Sequence, residues 1–472
     1  MRELPAEKMV NREAPAEVKT LAKTPPKAPR ARYNIIDPPK EGRVAMFLRA
    51  FAAVLKYSGY KGALDAYSRL STGCARCSAA CHIYRATGDD KDIPCYRTYL
   101  LLDIYRRYFT LEGQVKSLVL GGRELCEADI DLLAESFYRC NACRRCSLEC
   151  PMGIDQGLMT HLGRYILSEM GIVPKALRLS AIQQMESPTH TTTAMPAPAL
   201  EDFIRFLEAE LLRITGQPIK FPVDQPGREF IFFAPASDFL MEAETLMGHA
   251  ALMHAVGFQD RWTIGTHDCD AMNFGLYYND WVLDHVVCQL CGEAERLRAR
   301  QIMIGECGHA ARTAKEFVPV FGRDLKRPVK STVEFAAEML KQGKLRLNPD
   351  AISARVTYHD PCNLARSGWI VEQPRELLRA MAKNFVEMTP HGRWNYCCGG
   401  GGGAASIDEI HDFRMETAGR VKAEQLKATG ADLVVAPCAE CKKQLRELVR
   451  HYSLKMEVVG LNNLLLKAIR YE

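Results

Sequence analysis

The 472-residue sequence holds no run of about 18 or more apolar residues, so no segment reads as a membrane-spanning helix. Its N-terminus, MRELPAEKMVNREAPAEVKT, lacks the apolar segment of a secretory leader, which predicts a chain that stays in the reducing cytoplasm. Charge of one sign is not in excess either. The formal charge of +5 is small for the length, and basic residues are spread rather than gathered into stripes with interleaved aromatics. Nucleic-acid binding therefore has no support. A complete G-x-G-x-x-G after a strand is also missing, which assigns any flavin to another subunit.

What is there is an ordinary globular hydrophobic content of 47% together with 18 cysteines. In a reducing compartment, close sets of cysteines are metal ligands more often than disulfides.

The organisation is read as α+β and multidomain. Residues 1–43 are rich in Pro, Lys, Arg and Glu and predict a flexible tail. Residues 44–186 predict a helical domain built around metal, opening on an apolar helix from Val44 to Tyr60 that packs on the core. Residues 187–227 are taken as a linker, because SPTHTTTAMPAP is Pro-, Thr- and Ala-rich without periodicity. From there short apolar strand candidates alternate with helical segments, giving two tandem α/β domains at 228–345 and 346–472 with largely parallel sheets. The two halves look duplicated. RQIMIGECGHA aligns on ADLVVAPCAECKK, placing Cys307 over Cys438 and Ala310 over Cys441. HDCDAMNFG on NYCCGGGGG puts Asp268 over Cys397 and Cys269 over Cys398, and FFAPAS on YHDPCN puts Ala236 over Cys362. The second copy keeps the full cysteine set.

Cys140, Cys143, Cys146 and Cys150, followed by Pro151, form C-x2-C-x2-C-x3-C-P, the spacing of a cubane-binding loop whose last cysteine serves a second cluster. Structural zinc fits poorly, since it favours two separated pairs. Cys74, Cys77 and Cys81 repeat the last three positions, with Ser71 where the first cysteine belongs. Cross-ligation gives one cubane to Cys81, Cys140, Cys143 and Cys146, and the other to Cys74, Cys77, Cys150 and, by a returning loop, Cys95. A serine or water ligand, or a three-iron cluster, is the alternative to Cys95.

Cys362, the adjacent pair Cys397 and Cys398 before Gly399, and Cys438 with Cys441 make a second kind of site. Adjacent cysteines suit one tetrahedral ion badly, five thiolates exceed a cubane's four, and the loops lie beyond the carboxyl ends of strands, where open α/β sheets bind ligands. The glycine run suggests a cluster approached closely by bare backbone.

The pattern C-x34-CCG with a distant C-x2-C resembles the cysteine-rich domain of heterodisulfide reductase and its relatives, which include iron-sulfur subunits of glycolate oxidase, anaerobic glycerol-3-phosphate dehydrogenase and lactate-utilisation systems. CHIYRATGDD, the degenerate first copy and IGECGHA look most like the heterodisulfide-reductase-like subunits of sulfate-reducer membrane complexes. Among these are the K subunit associated with dissimilatory sulfite reductase and its counterparts in the high-molecular-mass and tetrahaem cytochrome c complexes. The resemblance implies two [4Fe-4S] cubanes in a ferredoxin-like domain and a noncubane [4Fe-4S] cluster on Cys362, Cys397, Cys398, Cys438 and Cys441. It also implies thiol-disulfide chemistry with a cytoplasmic protein or small molecule. Its implied partners are integral-membrane quinone and haem subunits and a cytochrome c, with this chain peripheral on the cytoplasmic face of the inner membrane.

Cys269 and Cys307 are candidate contributors to that site across the pseudo-symmetric interface, with His309 and Glu306 as candidate proton suppliers. The other reading of these residues is relic cysteines and a hydrogen-bonded histidine. Cys126, Cys288 and Cys291 are read as structural. Two other functions stay open: an iron-sulfur partner of a flavin-dependent hydroxy-acid or glycerol-3-phosphate dehydrogenase, and an electron conduit without catalysis.

Overall fold

The structure, a computed structural model, describes residues 31–187 and 192–471. Residues 1–30 of the expected tail and 188–191 of the expected linker lie outside the described residues. The rest of the tail is tied down. Tyr33 donates to the Glu135 carbonyl at 3.3 Å, and the carbonyls of Asn34 and Ile36 accept from the Lys175 amide and the Arg178 side chain. The folded body therefore begins before residue 44.

From residue 43 to 186 the named regular elements are all helical. The first, Arg43–Tyr57, buries Phe47, Ala50, Phe51 and Val54 and leaves Arg49 and Lys56 exposed. That spacing is one face of a 3.6-residue period. It packs with Leu101, Tyr105, Leu133, Phe137 and Ile166 from three further helices, Pro94–Phe109, Glu127–Arg139 and Gln156–Glu169.

The segment expected as a linker contains a helix, Ala197–Thr215, and this is a correction. Leu200, Ile204, Leu207 and Leu211 recur at helical spacing and are buried in the core of the first sheet, so periodicity there outweighs the Pro- and Thr-rich stretch before it.

Two four-stranded parallel sheets follow. β1 (Phe230–Phe233), β2 (Trp262–Thr263), β3 (Gln301–Ile304) and β4 (Val329–Ser331) lie in the order β2-β1-β3-β4. β5 (Val356–Tyr358), β6 (Phe385–Val386), β7 (Leu433–Val435) and β8 (Glu457–Val459) lie in the order β6-β5-β7-β8. The arrangement of each sheet is the other's repeated. Phe230 pairs with Gln301 between β1 and β3 as Val356 pairs with Leu433 between β5 and β7. These short strands are mostly apolar because helices cover parallel sheets on both faces. β5 runs out at Tyr358, just before Cys362, and β7 at Val435, just before Cys438. The carboxyl ends of the two central strands of the second sheet thus bring cysteines to one edge.

Candidate iron-sulfur sites

The two cysteine loops of the helical half have the same backbone. Ala75, after Cys74, has φ 54° and leads into the short helix Arg76–Ala80, while Arg144, after Cys143, has φ 61° and leads into Arg145–Glu149. Each loop sends its last cysteine to the other loop's group, and Ser71 stands at the place of Cys140. Ser71, Cys74, Cys77, Cys95 and Cys150 line one small cavity. Cys95 lies in the first turn of Pro94–Phe109 and has Cys77 as a hydrogen-bonding neighbour, which holds its thiol below the ordinary value. A second group joins Cys81, Cys140, Cys143 and Cys146: Cys146 is pushed up by burial and then by the charges of Cys143, Cys81 and Cys140.

Four soft thiolates in each group fit an iron-sulfur cluster. The second group also has a counter-charge waiting. Arg97 is buried, its Nε donates to the Ser136 carbonyl at 2.9 Å, and its Nη2 meets no hydrogen-bond partner among the described residues. Cys140, Cys81 and Cys146 all act on its charge. Replacing Cys95 by alanine is expected to lower bound iron by about one to four atoms per chain; iron content unchanged from the wild type would place that ligand elsewhere.

In the second sheet's loops the five predicted cysteines come together. Cys397 has Cys143, Cys362 and Cys398 as close neighbours; Cys398 has Cys397, Cys441 and His359; Cys438 has Cys441. Adjacent Cys397 and Cys398 thus divide the site, one facing the helical half and the other the Cys438–Cys441 turn. Gly399 makes this possible with φ 101°, a backbone that favours glycine. Cys438 precedes helix Ala439–His451, which sets Cys441 in its first turn.

Asp360 fixes the same loop. Its carboxylate accepts from Arg375 at 2.8 and 3.0 Å, from the Gly392 amide at 2.8 Å and from Asn395 at 3.2 Å. Lys422, buried beside the site, donates to Asn395 at 2.7 Å. Burial draws its ammonium down to about 7 against the opposing pull of Cys398 and Cys397. A cation so placed offsets the charge of clustered thiolates.

The helical half and the second sheet meet at these cysteines. His82 Nε2 lies 2.9 Å from the Asn141 side-chain oxygen, and Asn141 Nδ2 donates to the carbonyls of Gly399 at 2.7 Å and Gly401 at 3.0 Å. The Asn141 backbone lies so near Gly402 that a Cβ there would come within 2.8 Å of it. Part of the glycine run therefore serves this approach of two backbones. Arg164, fully buried, donates to the carbonyls of Phe137 at 3.0 Å, Cys140 at 2.6 Å, Tyr277 at 3.0 Å and Gly402 at 2.6 Å, binding three parts of the chain.

The first sheet contributes less than the sequence suggests. Burial, and then the charge of Cys438, pushes the Cys307 thiol up, so Cys307 does face the second copy. Cys269 does not: its neighbours are Thr193, Asp270 and Asp268. Glu306 is corrected from proton supplier to clasp, because its two carboxylate oxygens accept the amides of Leu461 and Asn462 at the start of helix Leu461–Ala468. His309 lies 2.6 Å from the Asn273 carbonyl through Nε2, and burial lowers its pKa to about 4, so it is a neutral donor at neutral pH. With Cys307, Met241, Met272, Ala439 and Glu440 it lines a cleft of about 290 Å³ between the two sheets' domains. Cys126 begins helix Glu127–Arg139, and Cys288 and Cys291 lie on helix Asp280–Arg296, with Cys288 bonded to Asp284. Sequence reasoning missed His359, Asp360, Asn141, Arg164 and Lys422. Only the first two carried a signal, standing between a strand end and Cys362.

Two domain families match the chain. Residues 72–154 match the 4Fe-4S dicluster domain and residues 356–446 the cysteine-rich CCG domain. A relative in Archaeoglobus profundus, an Hdr-like menaquinol oxidoreductase iron-sulfur subunit, is 28% identical over 84% of this chain and 78% of its own length. This chain is a homologue of such Hdr-like subunits. A further Hdr-like menaquinol oxidoreductase iron-sulfur subunit, from Archaeoglobus fulgidus, is 29% identical over 82% of this chain and 77% of that protein. A dihydromethanophenazine:CoB--CoM heterodisulfide reductase from Methanosarcina mazei has a subunit that is 21% identical over 82% of this chain and 90% of its own length. The chain thus carries iron-sulfur domains in both its helical half and its second sheet.

Proposed function

We propose that this chain is the iron-sulfur subunit of a membrane-associated respiratory complex, relaying electrons through two [4Fe-4S] cubanes to a noncubane [4Fe-4S] site that performs thiol-disulfide chemistry. Two electrons and two protons convert a disulfide to two thiols, or the reverse. The clusters, when bound, supply the one-electron steps. Cys81, Cys140, Cys143 and Cys146 would hold one cubane, and Cys74, Cys77, Cys95 and Cys150 the other. Cys362, Cys397, Cys398, Cys438 and Cys441 would hold the third group, in the second of two tandem cysteine-rich domains of which the first is degenerate.

The observation that carries this reading is the contact of Cys143 with Cys397, which sets a ligand of one group against a ligand of the next. Around it, Asn141, Arg164 and Lys422 orient backbone and compensate charge, and burial of Cys397, Cys398, Cys438 and Cys441 limits water there, with Cys143 and Cys362 partly open. The cleft at Cys307 gives a thiol a route to the Cys438–Cys441 turn.

Partners follow from the relatives, which are subunits of menaquinol oxidoreductase or heterodisulfide reductase assemblies. Quinone and haem subunits in the membrane, a cytochrome c, and a cytoplasmic thiol or disulfide complete the reading, with this chain on the cytoplasmic face. No helix among the described residues is long and apolar enough to cross a membrane. Helix Leu111–Leu120 buries none of its residues and exposes Leu111, Val115, Leu118, Val119 and Leu120, and such a patch suits a protein partner. Leu118, 87% exposed, is predicted to matter there: Leu118→Glu is expected to weaken co-purification with the membrane subunits while iron content stays unchanged. Undiminished co-purification would remove this helix from the interface.

Iron analysis tests the whole. About twelve irons per chain are expected from three four-iron groups, and about eight would leave a conduit of two.

A further inference from the structure

His359 follows β5 and hydrogen-bonds through its backbone amide to the Val435 carbonyl of β7 at 2.9 Å. Its side chain is fully buried, and beyond its interaction with the Cys398 thiol neither Nδ1 nor Nε2 meets a hydrogen-bond partner among the described residues. Leaving a buried polar group unsatisfied costs about 1–3 kcal/mol, so an imidazole whose only polar neighbours are thiols is a candidate to engage whatever those thiols hold. The other deeply buried histidines have clear neighbours, although His249 also leaves its Nε2 without a hydrogen bond among the described residues. His82 meets Asn141, His309 meets the Asn273 carbonyl, and His249 stacks on Phe232 with ring centres 3.7 Å apart. His359 has no such ring stack among the described residues. What it faces is sulfur: a ring nitrogen and the Sγ atoms of Cys398 and Cys441 all lie within 4.8 Å of one another.

We propose that the His359 imidazole is a nitrogen ligand to the metal held by Cys398 and Cys441. With metal bonds of about 2.0–2.3 Å, ligand atoms round one tetrahedral ion lie roughly 3.5–3.8 Å apart, so three atoms within 4.8 Å of one another would close by no more than about 1.3 Å to reach that spacing. The electrostatics agree. Five thiolates already crowd this buried site, and a neutral imidazole completes coordination without adding negative charge.

The inference rests on the reading that Cys398 and Cys441 hold iron, and the experiment separates the two. Full-length protein in its native complex is prepared with isotope-labelled histidine, and its iron is counted before pulsed magnetic resonance of the thiol-treated, oxidised state. A nitrogen coupling of the isotropic, directly bonded kind is expected in the wild type and should vanish in His359→Gln and His359→Ala. Mössbauer spectra, which need no paramagnetic state, should show one iron subsite changed in both variants. His359→Gln keeps the side-chain bulk and guards against loss of fold. A purely dipolar coupling, a coupling that survives both substitutions, or unchanged Mössbauer subsites would overturn the ligand assignment. With iron at about twelve per chain such a result removes His359 alone, whereas iron at about eight removes the five-cysteine group and this ligand together.

Discussion

Replacing Cys397 and Cys398 together by alanine is expected to take iron from about twelve to about eight atoms per chain and to abolish the paramagnetic species formed when oxidised protein is treated with thiol. The size of the effect follows from position. Cys397 reaches Cys362 and Cys143, and Cys398 reaches Cys441 and His359, so the pair joins the two ends of the site. Without them only Cys362 and the Cys438–Cys441 turn remain, too few thiolates for a four-iron group. The cysteines of the two cubane sets are untouched, and their signals should persist. The paired control is Cys288→Ala with Cys291→Ala, two helix residues remote from the clusters, where iron should remain at its wild-type value. If the double variant at 397 and 398 kept all its iron and its signal, the thiol-disulfide function would fall.

A comparable loss, this time of cohesion, is predicted for Arg164→Met. Methionine fills much of the volume but donates nothing, so the carbonyls of Phe137, Cys140, Tyr277 and Gly402 lose a shared partner at once. Each hydrogen bond to a charged group contributes about 1.5–3 kcal/mol. Four such losses put the variant in the exceptional range, above about 4 kcal/mol. Chemical denaturation followed by circular dichroism measures this directly. Because Arg164 spans the helical half and the glycine run, electron delivery to the five-cysteine site should slow even in molecules that remain folded. A variant as stable as the wild type, with unchanged delivery, would show that Asn141 and the backbone contact suffice.

Much of the molecule could be read from local pattern. The iron-sulfur character of the stretch from Cys140 to Cys150 is legible because it is carried by spacing, and the strand ends before Cys362 and Cys438 because short apolar runs bounded by turns are strands. The repeat of Cys307 over Cys438 pointed to a duplicated segment with largely parallel sheets, and the structure adds that the two sheets share one strand order. Other features depend on contacts far apart in the chain. Nothing near Glu306 announces that its carboxylate will cap a helix beginning at Leu461. Nor does any local signal say that Asn141 will lie against Gly402, or that Arg164 will bind three parts of the chain. The helix Ala197–Thr215 was a different matter: its apolar period was present, but the Pro- and Thr-rich stretch before it drew the boundary too far.

The close approach of Asn141 to Gly402 has a consequence for how the protein is made. Cys143 and Cys397 sit on either side of that seam, and Arg164 ties it shut. Cys397 is buried there, and Cys143 keeps only part of its surface open. Loading these sulfurs is accordingly expected to be easiest before the halves dock, with exchange afterwards slowed by the hydrogen bonds that hold the seam.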